Sequence, residues 1–382
     1  MAIEAFVFPG QGVQRAGFGR ALFDRFPDLE AEADDVLRYR IRTLCLDDPE
    51  HLLTESAYAQ PAVFVVNALL LQAALEEGPA PQVVLGHSLG EYNALYAAGV
   101  LSFREALVLV RARGVAFSRV SGVMLAVVGP TSTEIQKLLD GAGSDRAVIA
   151  NYNSARQHVL AGTAKAITAA RSLLEAAGAQ LTARLRVSAP AHSPLMAPAA
   201  EDFAPHVARV PLGPLRIPVI SNRTARPHRS DELRQVLVDH LTHPVLWQLS
   251  VEGLWGTYGG PDSVRFTEIG PDRTLTKLIT HIRRDYAAAR TPTARETMME
   301  PFTLTQLSVV LRTVTNNETL PDLDNDRLDT PMEALGVDSM QLVDLSRRLN
   351  TAYGLPPAPD LLADFATPRL VLDYVHSNRV VS

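Results

Sequence analysis

Two serines stand where a hydroxyl could be put to chemical use. Ser88 is the centre of Gly86-His87-Ser88-Leu89-Gly90, a G-x-S-x-G pentad. An apolar strand precedes it, Val83 to Leu85, and a helix over Tyr92 to Ala98 follows. A sharp strand-to-helix turn of this kind exposes the serine Oγ, and the flanking glycines relieve the steric conflict where the chain reverses. The hydroxyl then lies near the positive end of the helix dipole, and the backbone N–H of Leu89 can stabilise an oxyanion. Such a hydroxyl suits acyl transfer. Ser339 lies in Leu335-Gly336-Val337-Asp338-Ser339-Met340, ahead of a helix with apolar Met340, Leu342, Val343, Leu345 and Leu349. Asp338 and Ser339 suit that helix start as capping residues.

A nucleophilic serine needs a base. The chain has 10 histidines, so composition does not choose among them. His192, in Ser188-Ala189-Pro190-Ala191-His192-Ser193-Pro194, sits among proline and small residues that suit a loop, a setting that a surface histidine shares. Other chemistries lack their signatures: there is no G-x-x-x-x-G-K-[ST] loop and no H-E-x-x-H helix, and Gly10, Gly12 and Gly17 miss the G-x-G-x-x-G spacing. Asp322, Asp324, Asp326 and Glu333 fall on positions of a calcium loop, but Arg327 replaces its glycine and Pro331 interrupts it, so these acids read as a solvated inter-helix loop.

The elements that must position these groups follow from periodicity. Ala5 to Phe8 is a buried strand feeding Pro9-Gly10-Gln11-Gly12. With Val83 to Leu85, Ile217 to Ile220 and Arg265 to Ile269 it forms an α/β sheet of parallel strands. Phe103 to Phe117 is an amphipathic helix. Strands at Met124 to Val128, Val148 to Ala150 and Val159 to Ala161 alternate with helices at Thr133 to Leu139 and Ala164 to Ala177, suggesting an α+β insertion over about 123–190. Residues 286–300 lack periodicity and read as a linker. Helices at Leu304 to Thr313, Ser339 to Tyr353 and Pro368 to Val375 then make an all-helical module over 301–382.

The 382 residues suit two or three domains, and 47% hydrophobic content is enough for substantial cores. The net charge is -6 with no basic block, which argues against a nucleic-acid partner. Residues 301–382 hold 11 acidic and 6 basic side chains, so the acidic excess sits in the tail. Cys45 is alone, which excludes an internal disulfide and fits a reducing cytoplasm. Glu4 interrupts the first apolar stretch, so no signal peptide is expected. Ala62 to Leu75, broken by Asn67 and Gln72, is too short and too polar for a membrane span and reads as a buried core helix.

Taken in order, these segments resemble the malonyl-CoA:acyl-carrier-protein transacylase family, including the acyltransferase domains of polyketide synthases. The resemblance covers about residues 3–285. It rests on Phe8-Pro9-Gly10-Gln11-Gly12, Gln60-Pro61-Ala62, Gly86-His87-Ser88-Leu89-Gly90-Glu91, Leu109-Val110-Arg111-Ala112-Arg113-Gly114, Asn151-Tyr152-Asn153-Ser154, Ala191-His192-Ser193 and Glu268-Ile269-Gly270-Pro271. It implies an α/β hydrolase-like core with an inserted ferredoxin-like α+β subdomain. It implies Ser88 as nucleophile and His192 as its base, a dyad in which the backbone carbonyl of His240, where relatives often have glutamine, orients the imidazole. The N–H groups of Gln11 and Leu89 would form the oxyanion hole, and Arg113 would grip a malonyl carboxylate through two parallel hydrogen bonds. The chemistry implied is ping-pong transfer from a coenzyme A thioester to Ser88 and on to a phosphopantetheine thiol, without a metal.

One departure bears on specificity. Malonyl-specific polyketide acyltransferases usually carry Phe just before the histidine, and here that residue is Ala191. Arg113 argues for a carboxylated acyl group, whereas Ala191 leaves room beside its α-carbon for one larger than malonyl.

Residues 301–378 resemble an acyl carrier protein, an all-α bundle. Ser339 matches the 4'-phosphopantetheine attachment site, and Leu361-Leu362-Ala363-Asp364-Phe365-Ala366-Thr367-Pro368 matches the closing segment. The helix after Ser339 carries Asp344 beside Arg347 and Arg348, less acidic than carriers usually show to partner enzymes. The expected arrangement is acyltransferase over 1–285, linker over 286–300 and carrier over 301–382. Expected partners are acyl-CoA, its own or separate carrier proteins, a ketosynthase and a phosphopantetheinyl transferase. Two readings compete: a hydrolase of the same fold that clears carriers, which Arg113 argues against, and an inactive scaffold, which Ser88, His192 and Arg113 together argue against.

Overall fold

Four short segments far apart in the chain pair side by side in parallel. In the computed structural model, which describes residues 2–141, 147–187, 189–290, 302–315, 317, 320, 322–353, 355 and 365–378, their order is β7-β2-β1-β8. These are β1 (Ile3–Phe8), β2 (Val83–Gly86), β7 (Val219–Ile220) and β8 (Val264–Glu268). β1 from Ala5 onward and β2 read as apolar runs because both faces are buried, as parallel strands demand. The register pairs Phe8 with Gly86, so the Pro9–Gly12 loop and the Ser88 turn leave the sheet together at the carboxyl ends of neighbouring strands. Clefts of open α/β sheets form at that end.

Short helices α1 (Arg20–Phe23), α2 (Pro27–Leu37) and α3 (Ile41–Leu46) lead to α4 (Ser56–Glu77), then α5 (Gly90–Ala97) and α6 (Phe103–Ser118) follow β2. α4 is the apolar helix expected from the sequence, begun six residues earlier and running through Pro61. It is the one helix, among the described residues, long and apolar enough to cross a membrane, but 72% of its most apolar window is buried in protein. A helix apolar on all sides and covered on all sides is a core helix.

The insertion runs β3 (Val123–Val128), α7 (Ser132–Asp140), β4 (Val148–Ser154), β5 (Gln157–Gly162), α8 (Ala164–Ala176) and β6 (Leu181–Arg184). Its sheet is antiparallel, in the order β4-β5-β3-β6, over a core that includes Leu125, Ile135, Leu160, Ile167 and Leu174. β6 was not expected as a strand, because Leu181-Thr182-Ala183-Arg184 is a four-residue, half-exposed edge with no buried apolar run to mark it. β4 is tied to the rest of the unit where Tyr152 N–H donates to the Val245 carbonyl and Val245 N–H to that of Ala150, each at 2.9 Å. The remaining helices are α9 (Ala197–Arg209), α10 (Leu233–Asp239), α11 (Trp247–Tyr258) and α12 (Thr274–Arg290).

The chain divides into two compact units, Met1–Arg284 and Asp285–Ser382. Helix α12 continues to Arg290, past the start of the linker expected over 286–300, and the rest of that linker lies outside the described residues. In the second unit α13 (Leu304–Thr315), α14 (Ser339–Tyr353) and α15 (Pro368–Asn378) surround a core that includes Leu307, Leu311, Leu345, Leu349, Phe365 and Val371. Of the expected closing segment, residues 361–364 lie outside the described residues. The acids of the discarded calcium pattern have other partners: Asp322 pairs with Arg312 at 2.9 Å, and Asp324 Oδ1 accepts from Arg327 N–H.

Candidate active site

The Ser88 turn is held by close backbone approach. A Cβ on Gly86 would lie 1.9 Å from the Gly90 carbonyl carbon, and one on Gly90 would lie 2.0 Å from the Phe8 carbonyl oxygen. Only glycine fits either place, which is why the pentad has its form. Between them Ser88 takes φ 54°, a left-handed conformation rarely held by a residue with a side chain. Its N–H donates to Asn222 Oδ1 at 2.8 Å, and Asn222 Nδ2 donates to the Gly86 carbonyl at 2.6 Å, so one amide side chain brackets the turn.

His192 reaches Ser88 from a loop beyond β6. It too has a left-handed backbone, φ 60°, and its N–H donates to the Leu241 carbonyl at 3.1 Å. Its Nε2 lies 2.7 Å from Ser88 Oγ and its Nδ1 lies 2.9 Å from the His240 carbonyl oxygen. A carbonyl only accepts, so Nδ1 carries the proton and Nε2 is bare. The bare nitrogen then accepts the Ser88 O–H. Burial, with His240 and Arg113 nearby, keeps His192 well below its usual value, so the ring is neutral at neutral pH and can take a proton. His87, within the pentad, donates from Nε2 to Asn153 Oδ1 at 2.8 Å, and burial pushes it down to about 4.

Arg113 comes from α6, which packs tightly on the start of α4 because Gly114 has no side chain: a Cβ there would lie 2.6 Å from the Ser56 carbonyl oxygen. The guanidinium is 1% exposed. Nη1 donates to Gln60 Oε1 at 2.8 Å and Nη2 to Ser88 Oγ at 3.2 Å, while the Phe117 ring lies 4.2 Å from Cζ. Among the described residues no carboxylate lies within ion-pair distance of Arg113, and its Nε has no hydrogen-bond partner. A buried cation with no carboxylate paired to it directly is costly, so the site is suited to an anion supplied from outside.

Gln11 lies in the loop after β1, where its side chain meets Gln60 and Ser56 at 3.3 Å. Gly10 lets that loop press on the turn: a Cβ there would lie 2.5 Å from the His87 carbonyl oxygen and 3.5 Å from the Leu89 nitrogen. The N–H groups of Gln11 and Leu89 therefore belong to touching backbone segments. Ala191 is half-buried and packs against both the main core and the small cluster of Met124, Ala150, Val159 and Ala161. Seven expected site residues of the first unit thus converge. Ser339 belongs to the second unit, at the first residue of α14, with a reciprocal cap before it: Asp338 N–H donates to Gln341 Oε1 and Gln341 N–H to Asp338 Oδ1, each at 2.8 Å. A capped helix start fits a group attached through a serine there.

Sequence reasoning missed three residues at the site. Asn222, His228 and Glu91 join it through hydrogen bonds that span 131 to 137 positions, for which a single sequence carries no signal.

A serine hydroxyl bonded to a neutral imidazole, with a buried guanidinium at its other side, can exchange an acyl group between thiols. Residues 5–284 match the family model described as the acyl transferase domain. The chain belongs to that family. Residues 310–375 match the phosphopantetheine attachment site family, so this acyltransferase carries a segment of the kind that bears 4'-phosphopantetheine on a serine. The acyltransferase is 40% identical over 286 residues to the polyketide biosynthesis malonyl CoA-acyl carrier protein transacylase PksC of Bacillus subtilis, covering 74% of this chain and 98% of the relative. It is 40% identical over 300 residues to the polyketide biosynthesis protein ThaF of Burkholderia thailandensis, covering 77% of this chain but only 25% of that protein. The crystal structure of malonyl CoA-acyl carrier protein transacylase from Burkholderia pseudomallei superposes with a TM-score of 0.71 at 40% identity, over 77% of this chain and all of the other. The fold is thus the mixed α/β fold of those transacylases with a helical C-terminal region.

Proposed function

We propose that this acyltransferase moves a malonyl-type acyl group from coenzyme A, through an ester on Ser88, to the thiol of a phosphopantetheine arm, in polyketide or fatty acid biosynthesis. The observation that carries the reading is Arg113: a buried guanidinium, unmatched by any carboxylate among the described residues, bonded to the same Oγ that faces His192. A free carboxylate on the acyl group completes its fork.

His192 Nε2 takes the proton as Ser88 Oγ bonds to the thioester carbonyl carbon. The oxyanion is met by the N–H groups of Gln11 and Leu89. The C–S bond then breaks, and the departing coenzyme A sulfur takes the proton from His192. In the second half the incoming thiol gives its proton to His192 and its sulfur bonds to the carbonyl carbon. The Ser88 C–O bond breaks and Oγ takes the proton back. The His240 carbonyl holds the tautomer that both halves need. Ser339 is the attachment point in the carrier module, and 4'-phosphopantetheine supplies the thiol when bound.

The domain reading that goes with this is an acyltransferase over 1–285, a connecting segment and a carrier over 301–382. The topology supports a ferredoxin-like insertion, since β-α-β-β-α-β with order β4-β5-β3-β6 is that pattern. The core is α/β hydrolase-like in its strand–elbow–helix unit. Partners are acyl-CoA, this or another carrier, a ketosynthase and a phosphopantetheinyl transferase, and the compartment is the cytoplasm.

Intact-mass measurement on the phosphopantetheinylated chain with a panel of acyl-CoAs tests the proposal. Mass gained at Ser88 and then at a phosphopantetheine thiol is expected. Free acid released in place of acyl carrier would identify a hydrolase and overturn it.

A further inference from the structure

Beneath Ser88 and His192 lies a buried polar group that the transfer scheme does not use. Glu91, in the first turn of α5, is 1% exposed. Its Oε1 lies 2.6 Å from His228 Nε2 and accepts from the Asn222 N–H at 3.2 Å. Its Oε2 faces His240 Nδ1 at 3.1 Å, at an angle short of a hydrogen bond. Two contacts lead from this carboxylate to the reacting pair. Asn222 holds the turn of Ser88 through its side chain. His240 holds His192 twice, by its carbonyl on Nδ1 and by its ring, whose centroid lies 4.5 Å from that of His192.

The need for such an anchor comes from the backbone. Ser88 and His192 both stand in the left-handed region, at φ 54° and 60°. Conformations of this kind persist only where the surroundings over-determine them. They come from segments 104 positions apart, so their 2.7 Å approach is set by what both segments rest on. We propose that Glu91 is a positioning residue for the Ser88–His192 pair, fixing the serine's turn through Asn222 and the imidazole through His240. The proposal rests on the reading of Ser88 and His192 as nucleophile and base.

A carboxylate suits the place because the groups facing it are donors: the Asn222 N–H and the rings of His228 and His240. Burial pushes the Glu91 carboxyl up, but His240 and the bond to His228 outweigh it and hold the group well below the usual carboxylate range. Burial pushes His240 down, with Glu91 opposing and Arg113 and His228 adding to the fall. The anchor is thus an ionised carboxylate facing the ring of His240, which burial keeps neutral. Glutamine at position 91 would keep the size, lose the charge and set an NH₂ against a donor.

Rates of Ser88 acylation by malonyl-CoA in the full chain test this, with wild type, Glu91→Gln, Asn222→Ala and the double variant. Glu91→Gln is expected to keep its melting transition and lower kcat roughly 10- to 100-fold, with KM within about threefold, since a misplaced reacting pair loses rate rather than binding. Because Glu91 acts through Asn222, the double variant should fall below the slower single by no more than about threefold. A folded Glu91→Gln with unchanged kcat, a rise in KM alone, or losses that multiply would overturn the proposal. If Glu91→Gln does not fold, Asn222→Ala and His240→Gln carry the test: the shared anchor predicts losses that fail to multiply, and full multiplication overturns it. Wild type that gains no mass at Ser88 would instead overturn the function proposed above, so the two failures are distinguishable.

Discussion

Ser88 and Ser339 occupy opposite kinds of helix start. Ser88 stands before its helix in a left-handed turn, squeezed between two obligatory glycines and bonded to His192 and Arg113. Ser339 begins α14 behind an ordinary reciprocal cap from Asp338 and Gln341. The first setting invests strain and buried polar bonds in one hydroxyl. The second is a helix start closed by a two-way cap. A nucleophile must carry its own activation, whereas a serine modified by another enzyme needs only to be presented. That difference is the physical basis for assigning the two serines different work.

The largest test exchanges them. Ser88→Ala should abolish acyl loading from malonyl-CoA by at least about 10³-fold, since the remaining groups lack a nucleophile. Ser339→Ala should leave Ser88 acylation intact and abolish attachment of phosphopantetheine, read as the missing mass of the arm. Loading that survives Ser88→Ala would break the comparison at its root.

Arg113→Ala comes next. Truncating one side of a buried charged hydrogen-bonded pair costs about 2–5 kcal/mol, so kcat/KM for malonyl-CoA should fall by about 30-fold or more. Acetyl-CoA, which has no carboxylate, should lose far less, and equal losses on both would remove the carboxylate from Arg113's role. Ala191→Phe should act more gently. A ring set between the two cores that Ala191 touches should favour malonyl-CoA over an α-methyl analogue by roughly 10-fold. An unchanged ratio would mean the space lies elsewhere.

The acid side of the pH profile sharpens the contrast in activation. A base must be deprotonated to work, and burial lowers His192 well below an ordinary histidine's 6.5. The sign is therefore that kcat/KM stays level as pH falls through 6.5 and declines only below it. A decline centred at or above an ordinary histidine's value would mean that His192 is not held neutral by burial.

Much of this was legible in the sequence, for a physical reason. Close backbone approach writes itself into glycines, so Gly10, Gly86, Gly90 and Gly114 mark the turn and the helix contact that bring Gln11, Ser88 and Arg113 together. Fully buried strands such as β1 and β2 read as apolar runs. β6 did not, because a four-residue, half-exposed edge strand needs no buried apolar run. α9 escaped notice because Pro198 and Pro205 sit in it and read as breaks, although Pro198 falls in its first turn, where proline is tolerated. Glu91 was visible beside Ser88, but its partners Asn222 and His228 lie more than 130 positions away. Long-range polar bonds leave no local pattern, so this support came only with the fold.

The smallest effect tests presentation alone. Asp338→Ala removes one acceptor from the start of α14 and should cost that helix about 1 kcal/mol. Amides of its first turn should then exchange hydrogen about fivefold faster in the full chain, since opening there becomes easier by that amount. The N–H of Gln341, which donates to Asp338 Oδ1, should lead. Phosphopantetheine attachment should slow in step, because the modifying enzyme meets a frayed helix start. Ser88 acylation should not change, since Gly86, Gly90, Asn222, His192 and Arg113, which hold its hydroxyl, belong to the first unit. If attachment kept its rate while exchange rose, the cap would matter to the fold and not to presentation, and Ser339 would need only to be reachable.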